Sequence, residues 1–239
     1  MTPDRRAPTG PDIAVLPGAG SFGGELRPLM QAFGPPAWLV CYPGRFGRGF
    51  GRPALSFDHV VRSCVDQVAA RRSVRPVLVG HSFGAYVAFA AAAELERSAT
   101  GPAAVVVVGA MPPHLFSVSE SVTRSRAALA AYLDEMNPEL PSSGEWREVV
   151  IDTAMSDLTL LREFDPVRCG PLRCTILAAR GETDPLTTTA GLAEWGRSTH
   201  GDFAHRDFPG GHTDLLGNAA FLAWLRGEPS VRWDVSVHG

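Results

Sequence analysis

Short runs of apolar residues, rich in Val and Ile, alternate along the chain with longer segments in which apolar residues recur at helical spacing. Strands that alternate with segments of helix length form βαβ units, so this pattern predicts an α/β fold with a mostly parallel, doubly wound sheet. The predicted strands are residues 13–16, 38–42, 76–80, 103–109, 174–179 and 203–208. The predicted helices are residues 57–72, 84–97, 190–199 and 215–226.

The region of about residues 112–170 departs from this alternation. It carries helix-like patterns over residues 125–136, 145–155 and 158–164 but no clear strand, and it is long for a crossover connection. We therefore expect an inserted helical lid over the functional site. The alternative is that these helices only pack on the flank of the sheet.

Length, composition and charge narrow the class of protein. The 239 residues suit one α/β domain, residues 13–239, preceded by a polar tail, residues 1–12, without the apolar core of a secretory signal. The most apolar stretches, 86–93 and 103–110, are shorter than the roughly 20 residues of a membrane-spanning helix. A net charge of -3 provides no basic field for nucleic acid. We expect a cytoplasmic monomer that binds neither membrane nor nucleic acid.

The residue types exclude several kinds of site. All 22 basic residues are Arg, and without Lys the chain cannot form a pyridoxal Schiff base or a Walker phosphate loop. The four cysteines follow neither a CxxC pattern nor a zinc-ligand spacing, so free thiols are expected. They are Cys41, Cys64, Cys169 and Cys174. No cofactor or metal is predicted.

A candidate nucleophile lies in the segment 80–84, which reads GHSFG. This pentapeptide follows an apolar strand and opens an Ala-rich helix, which is the setting of a nucleophile elbow in the α/β-hydrolase fold. Gly80 and Gly84 fit the sharp turn because a Cβ at either position would clash with the neighbouring backbone. Ser82 is therefore predicted to be the nucleophile of a serine hydrolase.

A serine nucleophile needs a base, and the base needs an acid that orients it. In this fold the acid follows the serine and the histidine comes last. His212 lies in a loop between the last predicted strand and the last helix, and Asp184 follows the strand before it. Glu182 is the reserve for Asp184. The alternatives considered and set aside are Asp157, Asp165 and Asp214 for the acid, and His59, His81, His114, His200, His205 and His238 for the base.

Acyl transfer also requires N–H donors for the oxyanion that develops on the carbonyl. One donor is expected from Phe83, the residue after the nucleophile. The second is expected from Ala19, in the Gly-rich turn after the first strand. That turn lacks the GxGxxG pattern of a nucleotide site.

With these residues in place, the chain resembles the stand-alone type II thioesterases of polyketide synthase and nonribosomal peptide synthetase pathways over nearly its whole length. The matching segments are 16–20 (LPGAG), 27–29 (RPL), 42–45 (YPGR), 80–84 (GHSFG), 111–113 (MPP), 157–158 (DL), 181–185 (GETDP), Trp195 and 210–212 (GGH).

The resemblance implies hydrolysis of acyl groups from the phosphopantetheine arm of an acyl or peptidyl carrier protein. Ser82 would take the acyl group, His212 would move protons and activate water, and Asp184 would orient His212. Two positions depart from the family pattern: Gly18 stands where His is frequent, and Thr213 where an aromatic residue is common. These differences bear on substrate preference and rate more than on reaction class.

Three arginines lie in the Gly-rich segment 44–51 or directly after it. Arg45, Arg48 and Arg52 are interleaved with aromatic residues, and we expect them to contact the acidic carrier protein or the phosphate of its arm. The alternative is a solvated turn.

Other functions remain open from the sequence. The same triad serves carboxylesterases, and it serves acyl or aminoacyl transferases that pass the group to an acceptor other than water. A binding protein without catalysis is disfavoured by the complete order of Ser, Asp and His.

Overall fold

A parallel sheet organises the part of the chain that the computed structural model describes: residues 11–73, 75–98, 101–117, 125–136, 140–229 and 231. Its strands are β1 (Ile13–Leu16), β2 (Ala37–Leu39), β3 (Val77–His81), β4 (Ala104–Val108), β5 (Thr175–Gly181) and β6 (Phe203–Phe208). They lie in the order β2-β1-β3-β4-β5-β6, and every neighbouring pair is parallel. The predicted α/β fold with a parallel sheet is confirmed.

The helices largely follow the predicted segments. They are α1 (Arg27–Phe33), α2 (Phe57–Ala70), α3 (Phe83–Arg97), α4 (Arg126–Met136), α5 (Glu145–Leu161), α6 (Thr189–Ala193) and α7 (Ala219–Gly227). Helix α1 was not predicted, because its seven residues are too few to show helical periodicity. The predicted segments 145–155 and 158–164 largely merge into α5, which ends at Leu161. The predicted segment 190–199 splits into α6 and a 3₁₀ turn, Glu194–Ser198.

Both faces of the sheet are covered, so its central strands are buried throughout. Side chains alternate between the faces, as the strand geometry requires. In β4, Val105 and Val107 face the core formed with α2 and α3, whereas Val106 and Val108 face the core formed with α1 and α7. Burial on both faces explains why the strands read as continuous apolar runs.

Helices α4 and α5 form a smaller core between themselves. Leu129 and Leu133 of α4 pack against Val150, Ile151 and Ala154 of α5. Their position relative to the sheet matters for the site, because residues of both helices line the same cavity as Ser82. Within the described ranges, no helix has the length and apolar character that a membrane span requires.

All strands point the same way, so the loops after β1, β3, β5 and β6 leave the same edge of the sheet. This carboxyl edge is where open α/β sheets bind ligands. Ala19, Ser82, Asp184 and His212 all follow these strands, and the topology therefore brings four separate parts of the sequence together.

Candidate active site

Ser82 lies on a strained turn between β3 and α3. Its backbone angles, φ 54° and ψ -117°, belong to a region that non-glycine residues rarely adopt. The flanking glycines make the turn possible: a Cβ on Gly80 would lie 2.2 Å from the Gly84 carbonyl oxygen, and one on Gly84 would lie 2.3 Å from the Leu16 carbonyl oxygen. The Ser82 N–H also donates to the Val108 carbonyl at 2.8 Å. The local geometry is that of a nucleophile elbow.

His212 and Asp184 form a buried pair behind this turn. His212 Nδ1 lies 3.0 Å from Asp184 Oδ2, and the side chains are 6% and 0% exposed. The carboxylate also accepts hydrogen bonds from the Leu186 N–H at 2.9 Å and the Thr187 hydroxyl at 3.0 Å. An ionised carboxylate can only accept a hydrogen bond, so His212 Nδ1 is the donor to Asp184 Oδ2. The proton of neutral His212 is therefore assigned to Nδ1, and Nε2 is left as the acceptor.

The pKa of Asp184 reflects opposing effects. Burial acts to raise this pKa. The hydrogen bond and charge of His212, together with the hydrogen bonds from Leu186 and Thr187, lower it by more than burial raises it, so the pKa of Asp184 lies below its usual range. Asp184 is therefore ionised at neutral pH and suited to stabilise a protonated His212. Glu182, the reserve for this role, is solvent-exposed.

The remaining carboxylates that the sequence offered have other roles. Asp214 accepts the Gly211 N–H at 3.0 Å, and Asp165 caps a 3₁₀ turn by accepting the Val167 N–H at 3.0 Å. Asp157 is buried on α5 and binds Arg45 and the Gly20 N–H.

Ser82 and His212 line one cavity of about 750 Å³, and Ala19 lies on the same wall. Apolar residues from the α4 and α5 region supply much of the remaining lining. They include Leu133, Met136, Leu140, Trp146, Val150 and Leu158. The cavity therefore combines a polar reacting end with an apolar interior.

Two N–H groups are available near Ser82 for a developing oxyanion. Phe83 is the first residue of α3, where an N–H has no acceptor within its own helix. Its ring packs on Tyr42 and Phe57, away from solvent. The Ala19 N–H makes no hydrogen bond to any described residue. The placement is compatible with the predicted donors, whose role stays a prediction.

Sequence reasoning missed two residues that shape this site. Gly109, at the end of β4, has φ 63°, and a Cβ there would lie 3.0 Å from the His212 ring. Tyr132 of α4 lines the cavity, and burial raises its pKa to about 12, so it presents a neutral phenol. Neither residue belongs to a recognisable motif; only the tertiary fold reveals their proximity.

His81 lies directly beside the catalytic candidates. Its Nε2 is 3.0 Å from the His212 carbonyl oxygen, and its Nδ1 is buried without a partner among the described residues. A Cβ on Gly18 would lie 3.2 Å from that Nδ1, so the small residue at this position leaves room for the ring. Burial and the adjacent His212 lower the pKa of His81 to about 3, which keeps it neutral.

This buried histidine predicts an acid-sensitive fold. The unfolded chain protonates His81 near its ordinary pKa of 6.5, whereas the folded protein does so only near 3, so stability falls as pH falls through this window. Between about pH 7.5 and about pH 4.5, we expect the native protein to lose about 2 to 3 kcal/mol more unfolding free energy than His81→Gln. Urea unfolding at both pH values measures this. Equal losses of unfolding free energy in the native protein and in His81→Gln would contradict this prediction. The matched control is His205→Gln, at an exposed position.

The structure corrects the expectation for one of the three arginines. Arg45 is 3% exposed, its guanidinium binds Asp157 and the Ser21 carbonyl, and it stacks on Phe22 and Tyr42. It is therefore not available on the surface to a carrier protein. Arg48 and Arg52 are exposed, and the expectation for these two stays a prediction.

The sequence matches the Thioesterase domain family model over residues 11–225. The chain belongs to the thioesterase family. This membership confirms the predicted resemblance and agrees with the predicted enzyme class, a thioester hydrolase.

The described residues contain no cluster of His, Cys, Asp and Glu suited to a metal ion, and the four cysteines are free.

Two of the relatives described next are named for a biosynthetic pathway or cluster. The chain is 29% identical to the probable cadicidin biosynthesis thioesterase of Streptomyces griseus over 84% of its own length, and spans 57% of that protein. It is 30% identical to thioesterase PikA5 of Streptomyces venezuelae, covering 87% of this chain and 78% of that protein. The solved type II thioesterase BorB, from the borrelidin biosynthetic cluster, superposes with a TM-score of 0.75 at 26% identity and 92% coverage of both chains.

Proposed function

We propose that this thioesterase hydrolyses acyl groups from the phosphopantetheine arm of an acyl or peptidyl carrier protein, through an acyl-enzyme on Ser82. The observation that carries the proposal is that His212, paired with the buried Asp184, lines one cavity with a serine on a nucleophile elbow. The biosyntheses named for two relatives support a carrier-bound thioester as the substrate class.

In the first half-reaction, His212 Nε2 takes the proton of the Ser82 hydroxyl as the oxygen attacks the thioester carbonyl. The oxyanion of the tetrahedral intermediate accepts hydrogen bonds from the Phe83 and Ala19 N–H groups. Collapse breaks the carbon–sulfur bond, and the leaving thiolate receives the proton from His212. The ionised Asp184 stabilises His212 while it carries that proton.

In the second half-reaction, a water molecule gives a proton to His212 and its oxygen attacks the acyl-Ser82 carbonyl. Collapse of this second intermediate releases the free acid, and Ser82 Oγ recovers the proton from His212. No cofactor enters either step. The apolar wall from the α4 and α5 region would hold the acyl chain away from water, which favours hydrocarbon-rich acyl groups.

A surface near the cavity mouth suits the carrier protein. Phe46 and Phe50 are 46% and 52% exposed and contact Phe22, which lines the cavity. Arg48 and Arg52 lie exposed in the same segment, which contains no acidic residue. The exposed cations would attract an acidic carrier protein, and the exposed aromatic rings would contact the apolar acyl group that it carries.

Reversing these two charges is expected to weaken recognition of the carrier and leave the chemistry unchanged. For Arg48→Glu/Arg52→Glu, we expect KM for an acyl carrier to rise about tenfold. Turnover of the same acyl group on N-acetylcysteamine should stay unchanged. Steady-state kinetics on both substrates measure the difference.

Arg72→Glu/Arg75→Glu is the matched control, because these exposed residues precede β3 at the opposite edge of the sheet. An equal rise in KM for the control pair would show a general charge effect and contradict the proposed surface.

The hydrolytic proposal is tested by the products. Acyl carrier, acyl-N-acetylcysteamine and an oxygen ester with the same acyl group are each incubated with the protein, and released acids are quantified by mass spectrometry. Free acid from the carrier, at a higher kcat/KM than from the oxygen ester, supports the proposal. Acyl groups recovered on an added acceptor would favour a transferase, and a preference for the oxygen ester would favour a carboxylesterase.

A further inference from the structure

A buried ion pair joins the lid region to the sheet but touches none of the reacting groups. Arg45 follows β2, Asp157 lies on α5, and both are more than nine-tenths buried. Burial raises the pKa of the Asp157 carboxyl. Arg45 and the Gly20 N–H act to lower this pKa, but their effect is smaller, so the pKa lies above its usual range. Buried ion pairs often stabilise a fold no more than apolar residues would, so stability alone does not explain this pair.

The pair holds the loop that carries the proposed oxyanion donor. Asp157 Oδ2 accepts the Gly20 N–H at 2.8 Å, and Arg45 donates to the Ser21 carbonyl as well as to Asp157. Gly20 also packs against α5, since a Cβ there would lie 2.8 Å from the Ala154 Cβ. The two residues that directly follow Ala19 are therefore each held by a charged side chain: Gly20 by Asp157 and Ser21 by Arg45.

A second contact anchors the other end of the same loop. The Tyr42 hydroxyl donates to the Pro17 carbonyl at 3.1 Å, and the Tyr42 ring lies under the Arg45 guanidinium. The loop is therefore held before and after Ala19, while the Ala19 N–H itself stays without an acceptor among the described residues. An N–H that is oriented but unused is what oxyanion stabilisation requires, because reorganisation then costs nothing during the reaction.

We propose that Asp157 and Arg45 are positioning residues that hold the Ala19 N–H toward the oxyanion, and that Asp157 thereby makes the oxyanion hole depend on the position of α5. The inference rests on the proposed function, in which Ala19 is a donor. Displacement of α5 would remove the acceptor of the Gly20 N–H and the partner of Arg45 together. Through this ion pair, the rate of hydrolysis depends on the position of α5.

The test uses Asp157→Asn, which keeps the size of the side chain and one acceptor for the Gly20 N–H but removes the charge that Arg45 requires. We expect kcat on a p-nitrophenyl acyl ester to fall about 10²-fold, with KM nearly unchanged. The affinity for an alkyl boronic acid, which forms a tetrahedral adduct on Ser82, should fall in parallel. Binding of an acyl-pantetheine amide, which forms no adduct, should stay unchanged.

Asp134→Asn is the matched control. Asp134 of α4 binds Arg147 of α5 through two hydrogen bonds, of 2.6 and 2.9 Å, in the same pair of helices but without contact to the Ala19 loop. Its loss should leave the boronic acid affinity and kcat within about twofold, whatever it does to the melting temperature. A general loss of lid stability would affect both variants.

The outcomes separate the two proposals. If the native protein forms no boronate adduct, the proposed function is wrong. If the native protein forms it and Asp157→Asn binds the boronic acid as tightly, the positioning role is wrong. Should Asp157→Asn not fold, Arg45→Lys serves instead: it keeps a charge beside Asp157, but its single nitrogen does not reproduce the geometry in which two guanidinium nitrogens bind Asp157 and the Ser21 carbonyl. The same selective loss is expected, and unchanged boronate affinity in this variant would overturn the proposal.

Discussion

Replacing His212 by Ala is expected to lower kcat for thioester hydrolysis by about 10⁶-fold, which leaves only the contribution of binding and of the oxyanion donors. The reason is that the described residues offer Ser82 no effective second base: burial lowers the pKa of His81 to about 3, which makes it a weak base, and its Nε2 lies 3.0 Å from the His212 carbonyl oxygen. Release of the free thiol, followed with a thiol-reactive dye, measures the loss.

The control for this variant is His205→Ala, at an exposed position on β6. We expect its kcat to stay within about twofold of the native value. A His212→Ala protein with a native melting temperature and native turnover would remove His212 from the mechanism.

Replacing Asp184 by Asn is expected to lower kcat by about 10⁴-fold. The amide can donate to His212 Nδ1, which favours the wrong tautomer and leaves Nε2 protonated and unable to accept from Ser82. It also removes the negative charge that stabilises protonated His212. Steady-state kinetics on an acyl thioester measure the change, and KM is expected to move little because Asp184 does not line the cavity.

Asp214→Asn is the control for that substitution. Asp214 is an exposed carboxylate in the same loop region as His212, and it accepts only the Gly211 N–H among the described residues. A loss of less than tenfold is expected. Comparable losses in the two variants would show that loop structure, and not the orientation of His212, governs the rate.

The fold and the candidate reacting residues were accessible from the sequence because their signals are local. Most strands are short apolar runs bounded by Gly, Pro or polar residues, and Ser82 lies in a motif whose glycines are dictated by backbone contact. Asp184 and His212 follow from chain order, since the topology brings strand ends to one edge. Their pairing at 3.0 Å agrees with this reasoning.

The role of Arg45 was not accessible in this way. Its segment reads as a solvent-exposed Gly-rich turn, and its neighbour Arg48 is indeed exposed. What buries Arg45 is Asp157, 112 positions away in sequence, on a helix whose placement no local pattern gives. The same holds for Gly109, whose missing side chain makes room for His212 only once the strands are assembled.

Ser82 is the residue proposed to carry the acyl group. The most direct test is to mix the protein with an acyl carrier, quench within milliseconds to seconds, and measure the intact mass and the modified peptide. We predict a mass increase equal to the acyl group, located on Ser82, followed by free acid, with neither in Ser82→Ala. An acyl adduct on another residue, or release of free acid by Ser82→Ala at the native rate, would contradict the account.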